Sequence, residues 1–264
     1  MIDAPVIIAK SLNIGYKDES IVSAINSELL PGQSLALIGT NGSGKSTLLK
    51  TLVGLQPALK GELTVLGNTP VQSARQIAYL SQFHSSSFIL PLCAADVVRM
   101  GRYAEHGLLG KLNSADEDLI RSSMKRMGVN HLCDKPLRAL SGGQQQRVYI
   151  AQALARHAAI LVMDEPTAGL DAGAREVYQQ AVSDELDRGA SVVVATHDIQ
   201  EAMDCTQTML LARKVIAIGR GAEVITTQAL LETFGITINL AQQPLGVTVV
   251  ERDHCCDHPD DRSF

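Results

Sequence analysis

The chain has 264 residues, 45% of them hydrophobic but only 3% aromatic and none Trp, which suits one large α/β domain with a subdomain, or two small domains, around an aliphatic core. A formal net charge of −5 argues against a nucleic-acid surface, which shows as a basic excess. No apolar run reaches the about 18 residues of a membrane span, and the opening MIDAPVIIAK lacks the charged and apolar regions of a signal peptide. The five cysteines are an odd number. Cys93, Cys133 and Cys205 are scattered without pairing cues, as in a reducing cytosol and unlike a disulfide framework. The expectation is a soluble protein that meets a membrane only through a partner.

In chain order, residues 6–14 and 21–30 alternate enough to predict antiparallel strands around a turn at Tyr16–Ser20, and Pro31-Gly32 is a further turn. Ser34–Ile38 has the length and composition of a buried strand, and Leu48–Val53 can continue as a helix. Gly61–Leu66, followed by Gly67-Asn68, reads as strand plus turn; Ile77–Ser81 is another strand, ending at Gln82. From Ser85 the character changes. Residues 93–100 and 114–128 have helical spacing, with Ser114-Ala-Asp-Glu117 as a capping-box start and Gly128 as a stop. A largely helical insert is expected over about 84–157, its last helix beginning after Ser141-Gly142-Gly143. Ile160–Met163 is a buried-strand run leading into Asp164-Glu165-Pro166. A helix over 171–188 stops at Gly189, and Ser191–Ala195 is the next strand, ending in Thr196-His197-Asp198. Short strands at 207–218 and a small helix at 227–234 close the folded part. Strands alternating with helices predict a mostly parallel sheet that holds ligands at the strand carboxyl ends.

Four candidates fall at such ends: the stretch Gly39–Thr47, Gln82, Asp164-Glu165 and His197. The first reads GTNGSGKST, and Gly39-x4-Gly44-Lys45-Ser46 is the spacing of a phosphate-binding loop between a strand and a helix. Gly39, Gly42 and Gly44 free the backbone around Thr40, Asn41 and Ser43 to aim successive N–H groups at phosphate oxygens. The helix beginning near Lys45, continuing through Ser46 and Thr47, adds the positive end of its dipole. Lys45 supplies a charge to β- and γ-phosphates, and the Ser46 hydroxyl is placed to ligate Mg²⁺. The chain is therefore expected to bind a nucleoside triphosphate. Asp164, at the end of a buried strand, can hold Mg²⁺ directly or through water, and Glu165 can orient and deprotonate an attacking water. Tyr16 either lies on an adenine face or is an exposed turn tyrosine. Leu140–Arg147 reads LSGGQQQR: Ser141 can cap a helix whose bared N–H groups at Gly142, Gly143 and Gln144 make a second anion site, suited to a nucleotide held by another copy.

Read together, GTNGSGKST, Gln82, LSGGQQQR, ILVMDEP, Ala168-Gly-Leu-Asp171 and His197 resemble the ordered motifs of ATP-binding cassette ATPases, over roughly residues 6–236. The resemblance implies an α/β fold: a P-loop core with a mostly parallel sheet, an antiparallel β subdomain and a helical insert. It gives one domain over 1–240, with core 1–83 and 158–240, helical subdomain 84–157 and a flexible tail from 241. It implies ATP and Mg²⁺, and a head-to-tail homodimer with each ATP between the phosphate loop of one subunit and Ser141–Gly143 of the other, with Gln144 counted among the nucleotide-binding residues. Carried over by position, Tyr16 stacks on adenine; Ser46, Asp164 and Gln82 serve Mg²⁺; Gln82 also reaches the attacking water and couples to a membrane permease. Lys45, Glu165 as general base and His197 at the γ-phosphate act in hydrolysis, and Asp171 bridges the two sites. Without the resemblance His197 reads as a satisfied loop histidine. The implied partners are integral permease subunits and, through them, an extracytoplasmic binding protein, at the cytoplasmic face of the plasma membrane, with no nucleic acid.

Asp96-Val-Val-Arg-Met-Gly-Arg-Tyr103, Gly107-Leu-Leu-Gly110 and Ser114-Ala-Asp116 are similar to the insert of bacterial manganese, zinc and iron importer ATPases; ferric-chelate and cobalamin importers, and a soluble iron–sulfur assembly ATPase, are the alternatives. One departure is Gln152, where such proteins usually have Arg serving internal ion pairs. The tail ends in His254-Cys255-Cys256-Asp257-His258, read either as a disordered polar terminus or as a site for Zn²⁺ or Cu(I).

Overall fold

The computed structural model describes residues 4–17, 19–82, 92–106, 110–239 and 249–252. Strand β1 (Ile7–Tyr16) pairs antiparallel with β2 (Glu19–Leu29), and Tyr16 faces Glu19 at the hairpin end. Their register slips after Ala9, where Ser11 takes a positive φ of 46°; such bulges bend a strand over its neighbours. β3 (Ser34–Gly39) is buried at every residue, as its unbroken apolar run requires. It feeds the Gly-rich loop and helix α1 (Lys45–Leu52). β4 (Lys60–Val65) returns to the other edge of β1, giving a three-stranded sheet of order β2-β1-β4. A one-turn helix α2 (Pro70–Ser73), capped by Thr69, leads to β5 (Ile77–Leu80).

Helices α3 (Ala94–His106), α4 (Ser114–Arg126) and α5 (Gly142–Ala155) follow. They pack through buried Val97, Val98, Ile120, Met124, Val148 and Ile150. The cap of α4 corrects the sequence reading: it is Asn113, whose side chain accepts from Asp116 N while the Asp116 carboxylate accepts from Asn113 N. Likewise α5 starts at Gly142, before the second glycine of the pair. Gly101 lets α3 and α5 cross closely, since a Cβ there would lie 2.3 Å from the Gln152 carbonyl oxygen. Buried Arg102 at that crossing donates to Asp116 (2.9 Å) and to the carbonyls of Ala155 and Arg156.

The chain then runs through β6 (Ile160–Asp164), α6 (Ala172–Asp187), β7 (Ser191–Ala195), α7 (Ile199–Asp204), β8 (Gln207–Leu211), β9 (Val215–Gly219), α8 (Gly221–Val224) and α9 (Thr227–Phe234). β10 (Ile236–Asn239) pairs antiparallel with β11 (Val249–Arg252), so a strand lies beyond residue 240, where a flexible tail was expected. The main sheet has order β5-β6-β7-β3-β8-β9, parallel except for β9. Side chains alternate between its faces. Ala36, Ile38, Leu161, Met163, Val192 and Val194 join the core shared with α3–α6. Leu35, Leu37, Ile160, Val162 and Val193 join the core shared with α1, β1 and β2. Both faces being covered, the strands read as continuous apolar runs. In this order β5, β6, β7 and β3 are neighbours, so their carboxyl ends lie side by side.

Candidate nucleotide-hydrolysing site

At that edge a cleft of about 420 Å³ is lined by Tyr16 and Ile21, by Thr40–Gly42 and Gly44–Thr47, and by Gln82 and Glu165. The loop's shape rests on its glycines for different reasons. Gly44 has φ +108°, a conformation that strains any residue with a Cβ, and a Cβ there would sit 2.5 Å from Val22 Cγ2. At Gly39 the obstacle is behind: a Cβ would lie 2.2 Å from the Leu211 carbonyl oxygen. The loop is further tied from behind by Arg213 N donating to Ser43 O at 3.2 Å. A Cβ on Gly42 (φ +79°) would meet nothing within 4 Å among the described residues, the room a phosphate chain needs.

Lys45 is buried, and its Nζ donates to the carbonyls of Gly39 (2.7 Å) and Thr40 (3.1 Å). Burial lowers its pKa, while the negative charges of Glu165 and Asp164 oppose that shift. Asp164, at the end of β6, is buried too, which raises its pKa against the pull of a hydrogen bond from Ser46. Glu165 adopts a left-handed φ of 51°, a strained conformation of the kind found at active sites, and its N–H donates to Ala195 O at the end of β7. The turn aims its carboxylate between two partners. Gln82 Nε2 donates to Oε2 at 3.0 Å, and His197 Nε2 lies 2.7 Å from Oε1. A carboxylate held on both oxygens beside a phosphate loop has a fixed orientation, and a group so placed can accept a proton from a nearby water.

Tyr16, the loop, Gln82, Asp164, Glu165 and His197 therefore converge as the sequence reading expected. Ser141, Gly142, Gly143, Gln144 and Asp171 do not line this cleft. Ser141 and Gln144 form a reciprocal capping box at the start of α5, with Ser141 and Gly142 exposed. Asp171 caps α6 by accepting from Ala174 N at 2.8 Å. The tail residues His254, Cys255, Cys256 and His258 lie outside the described residues, as do Gly107, Leu108 and Leu109. Sequence reasoning missed Val22, Arg213 and Tyr79. Tyr79, whose phenol burial and the Asp164 charge push up to about 12, sits two residues before the end of the Ile77–Ser81 run and looked like ordinary core. A second hollow of about 510 Å³ opens beside Glu165, lined by Thr167, Ala168, Arg175, Thr196, His197 and Asp198 among others. Of its lining, the sequence singled out Glu165, Ala168 and the Thr196-His197-Asp198 segment that follows β7.

Comparison with known proteins gives the family. A family model described as ABC transporter matches residues 22–168. The manganese transport system ATP-binding protein MntB of Bacillus subtilis (strain 168) is 34% identical over 226 residues, 85% of this chain and 90% of that protein. The zinc transport system ATP-binding protein TroB of Treponema pallidum (strain Nichols) is 31% identical over 236 residues, 89% of each. A solved chain of a transporter described as metal-chelate type, in an inward-facing conformation, superposes with TM-score 0.76 at 27% identity, covering 92% of this chain and 94% of that one. With the family model spanning more than half of its length and such relatives covering most of the rest, the chain belongs to the ABC transporter family, as a nucleotide-binding, ATP-hydrolysing subunit.

Proposed function

We propose that this chain powers the import of divalent metal ions, manganese, zinc or iron, as the ATPase of a membrane transporter. The observation that carries the reading is a hydrolytic set held at one sheet edge in a chain whose relatives, over nearly their whole length, are named for manganese and zinc transport. Tyr16 stacks on the adenine, the loop N–H groups and Lys45 hold the phosphates, Glu165 is the general base, and His197 and Gln82 orient it. Ser46, Asp164 and Gln82 offer oxygen donors only, a hard set that suits Mg²⁺; when bound, the ion neutralises charge on the β- and γ-phosphates. Two copies face head to tail, so that the Ser141–Gln144 start of α5, exposed at Ser141 and Gly142, closes over the partner's ATP and Asp171 bridges the two sites. Core 1–83 and 158–240 carries the nucleotide, and the helical part 84–157 passes closure to permease subunits. The protein sits on the cytoplasmic face of the membrane, its cargo delivered to the permease by an extracytoplasmic binding protein.

A metal-chelate importer is the second reading, favoured by the superposition on a chain of that type. The test is a pull-down from detergent-solubilised native membranes, with ATPase assays and bound-metal analysis of the recovered complex. The expected result is a multispan partner and an ATPase stimulated by free manganese, zinc or iron. Stimulation by a metal chelate alone would move the assignment to the second reading, and recovery of soluble assembly partners only would sink transport.

A further inference from the structure

His197 is held to Glu165 from one side; what holds it from the other is a two-rung ladder between α6 and α7. Arg175 and Tyr178 lie three residues apart on α6, and Asp198 and Glu201 three apart at the start of α7, so each pair shares a helix face. The outer rung is Arg175 Nη1 to Asp198 Oδ2 at 3.6 Å, half-exposed. The inner rung is the Tyr178 hydroxyl donating to Glu201 Oε1 at 2.8 Å, with both residues buried. The segment between is held by three further bonds. Asp198 N donates to Thr196 Oγ1 (3.0 Å), and Asp198 Oδ1 accepts from Gln200 N (2.9 Å) and Glu201 N (3.3 Å). His197 thus sits inside a clasp whose far anchor is on α6.

We propose that Tyr178 and Glu201 are positioning residues that set His197 against Glu165 by fixing the distance between α6 and α7. Two observations favour this over a bland buried hydrogen bond. A cavity of about 280 Å³ lies beside the inner rung, lined by Tyr178, Val182, Val192, Val194, Glu201 and Cys205 among others. Tyr178 is otherwise packed in the core, so beside this cavity the O–H···O bond is a direct tie between α6 and α7. Glu201 is also a costly choice for the place. Burial raises its pKa, and hydrogen bonding from Thr196 and Tyr178 only opposes that shift, so an apolar residue would be cheaper there unless the pairing served a geometric end. The same ladder couples His197 to the start of α6, where Asp171 is the cap.

The consequence for hydrolysis rests on the role proposed for His197, so the test reads its position and its chemistry separately. The full chain is labelled at histidine and its imidazole resonances are recorded, that of His197 identified by its loss in His197→Gln. In Tyr178→Phe the His197 signals should move while those of His131 and His157 stay, with kcat down about tenfold and the KM for ATP changed by less than about twofold. Glu201→Gln keeps an oxygen for the tyrosine hydroxyl and should hold both readouts near the parent; Glu201→Leu should reproduce Tyr178→Phe. Unmoved His197 signals in Tyr178→Phe and Glu201→Leu would overturn the proposal, as would a Glu201→Gln variant as impaired as Glu201→Leu. Signals that move with kcat unchanged would uphold the positioning and remove His197 from the hydrolytic step.

Discussion

Glu165 shows how much a single residue's setting contributes beyond its type. An acid at the end of an apolar strand is legible in the local sequence, and the reading of Asp164-Glu165 added to it only the phosphate loop and the family resemblance. Its left-handed φ, its tie to Ala195 O and the two side chains gripping its oxygens come from strands remote in sequence. A local pattern carries no trace of them. If the grip serves proton transfer, Glu165→Gln should keep nucleotide affinity, since an amide fills the same space, while kcat falls at least about 10²-fold. Fluorescent-nucleotide titration and phosphate release measure the two; full turnover would remove Glu165 from the base role. Lys45 makes the complementary point. The motif announces a charge for phosphate, but not that the charge is held by two loop carbonyls meanwhile.

At the scale of elements, strands were legible because burial on both faces enforces continuous apolar runs, and helices because their caps and glycine stops are local. The start of α4 slipped by one residue for a physical reason. In Asn113-Ser114-Ala115-Asp116-Glu117 two adjacent polar residues each have an acid three positions on, so two capping boxes compete. Packing decides, because Asp116 must also meet Arg102 and His106 inside the helical layer. Hydrogen bonds from Asn113 N, His106 and Arg102 hold the Asp116 carboxyl at about 2, below its ordinary 3.8. A depressed carboxyl stabilises the fold above the unfolded value and loses that contribution as pH falls toward the folded one. Asp116→Asn should therefore lower stability at neutral pH by about 2 kcal/mol and flatten its decline between about pH 4 and 2. Denaturant unfolding across that range is the measurement, and an unchanged slope would count against the network.

The whole molecule was legible in outline, since motif order fixes which strands carry which groups, but strand order was not. That β3 lies between β7 and β8 follows from crossover connections that no periodicity records. It is what sets four strand ends in a row while leaving Ser141–Gln144 outside the cleft. A head-to-tail dimer would bring that segment to a partner's nucleotide, and Gly142 isolates the point. Among the described residues a Cβ there meets nothing within 4 Å, and the residue is exposed. Gly142→Asp should then leave melting temperature and ATP binding by the monomer unchanged, yet abolish the ATP-induced dimer seen by light scattering in a Glu165→Gln background. Dimerisation that survives would exclude this face. One last consequence follows from the wall behind the phosphate loop. The family match stops at residue 168, but the loop leans on Leu211 O and is tied to Arg213 N, both main-chain atoms. Evolution is free to rewrite the side chains there while the path of the backbone stays obligatory. Among descendants of this protein the turn after β8 should drift in letters and tolerate no insertion, a constraint on length rather than on spelling.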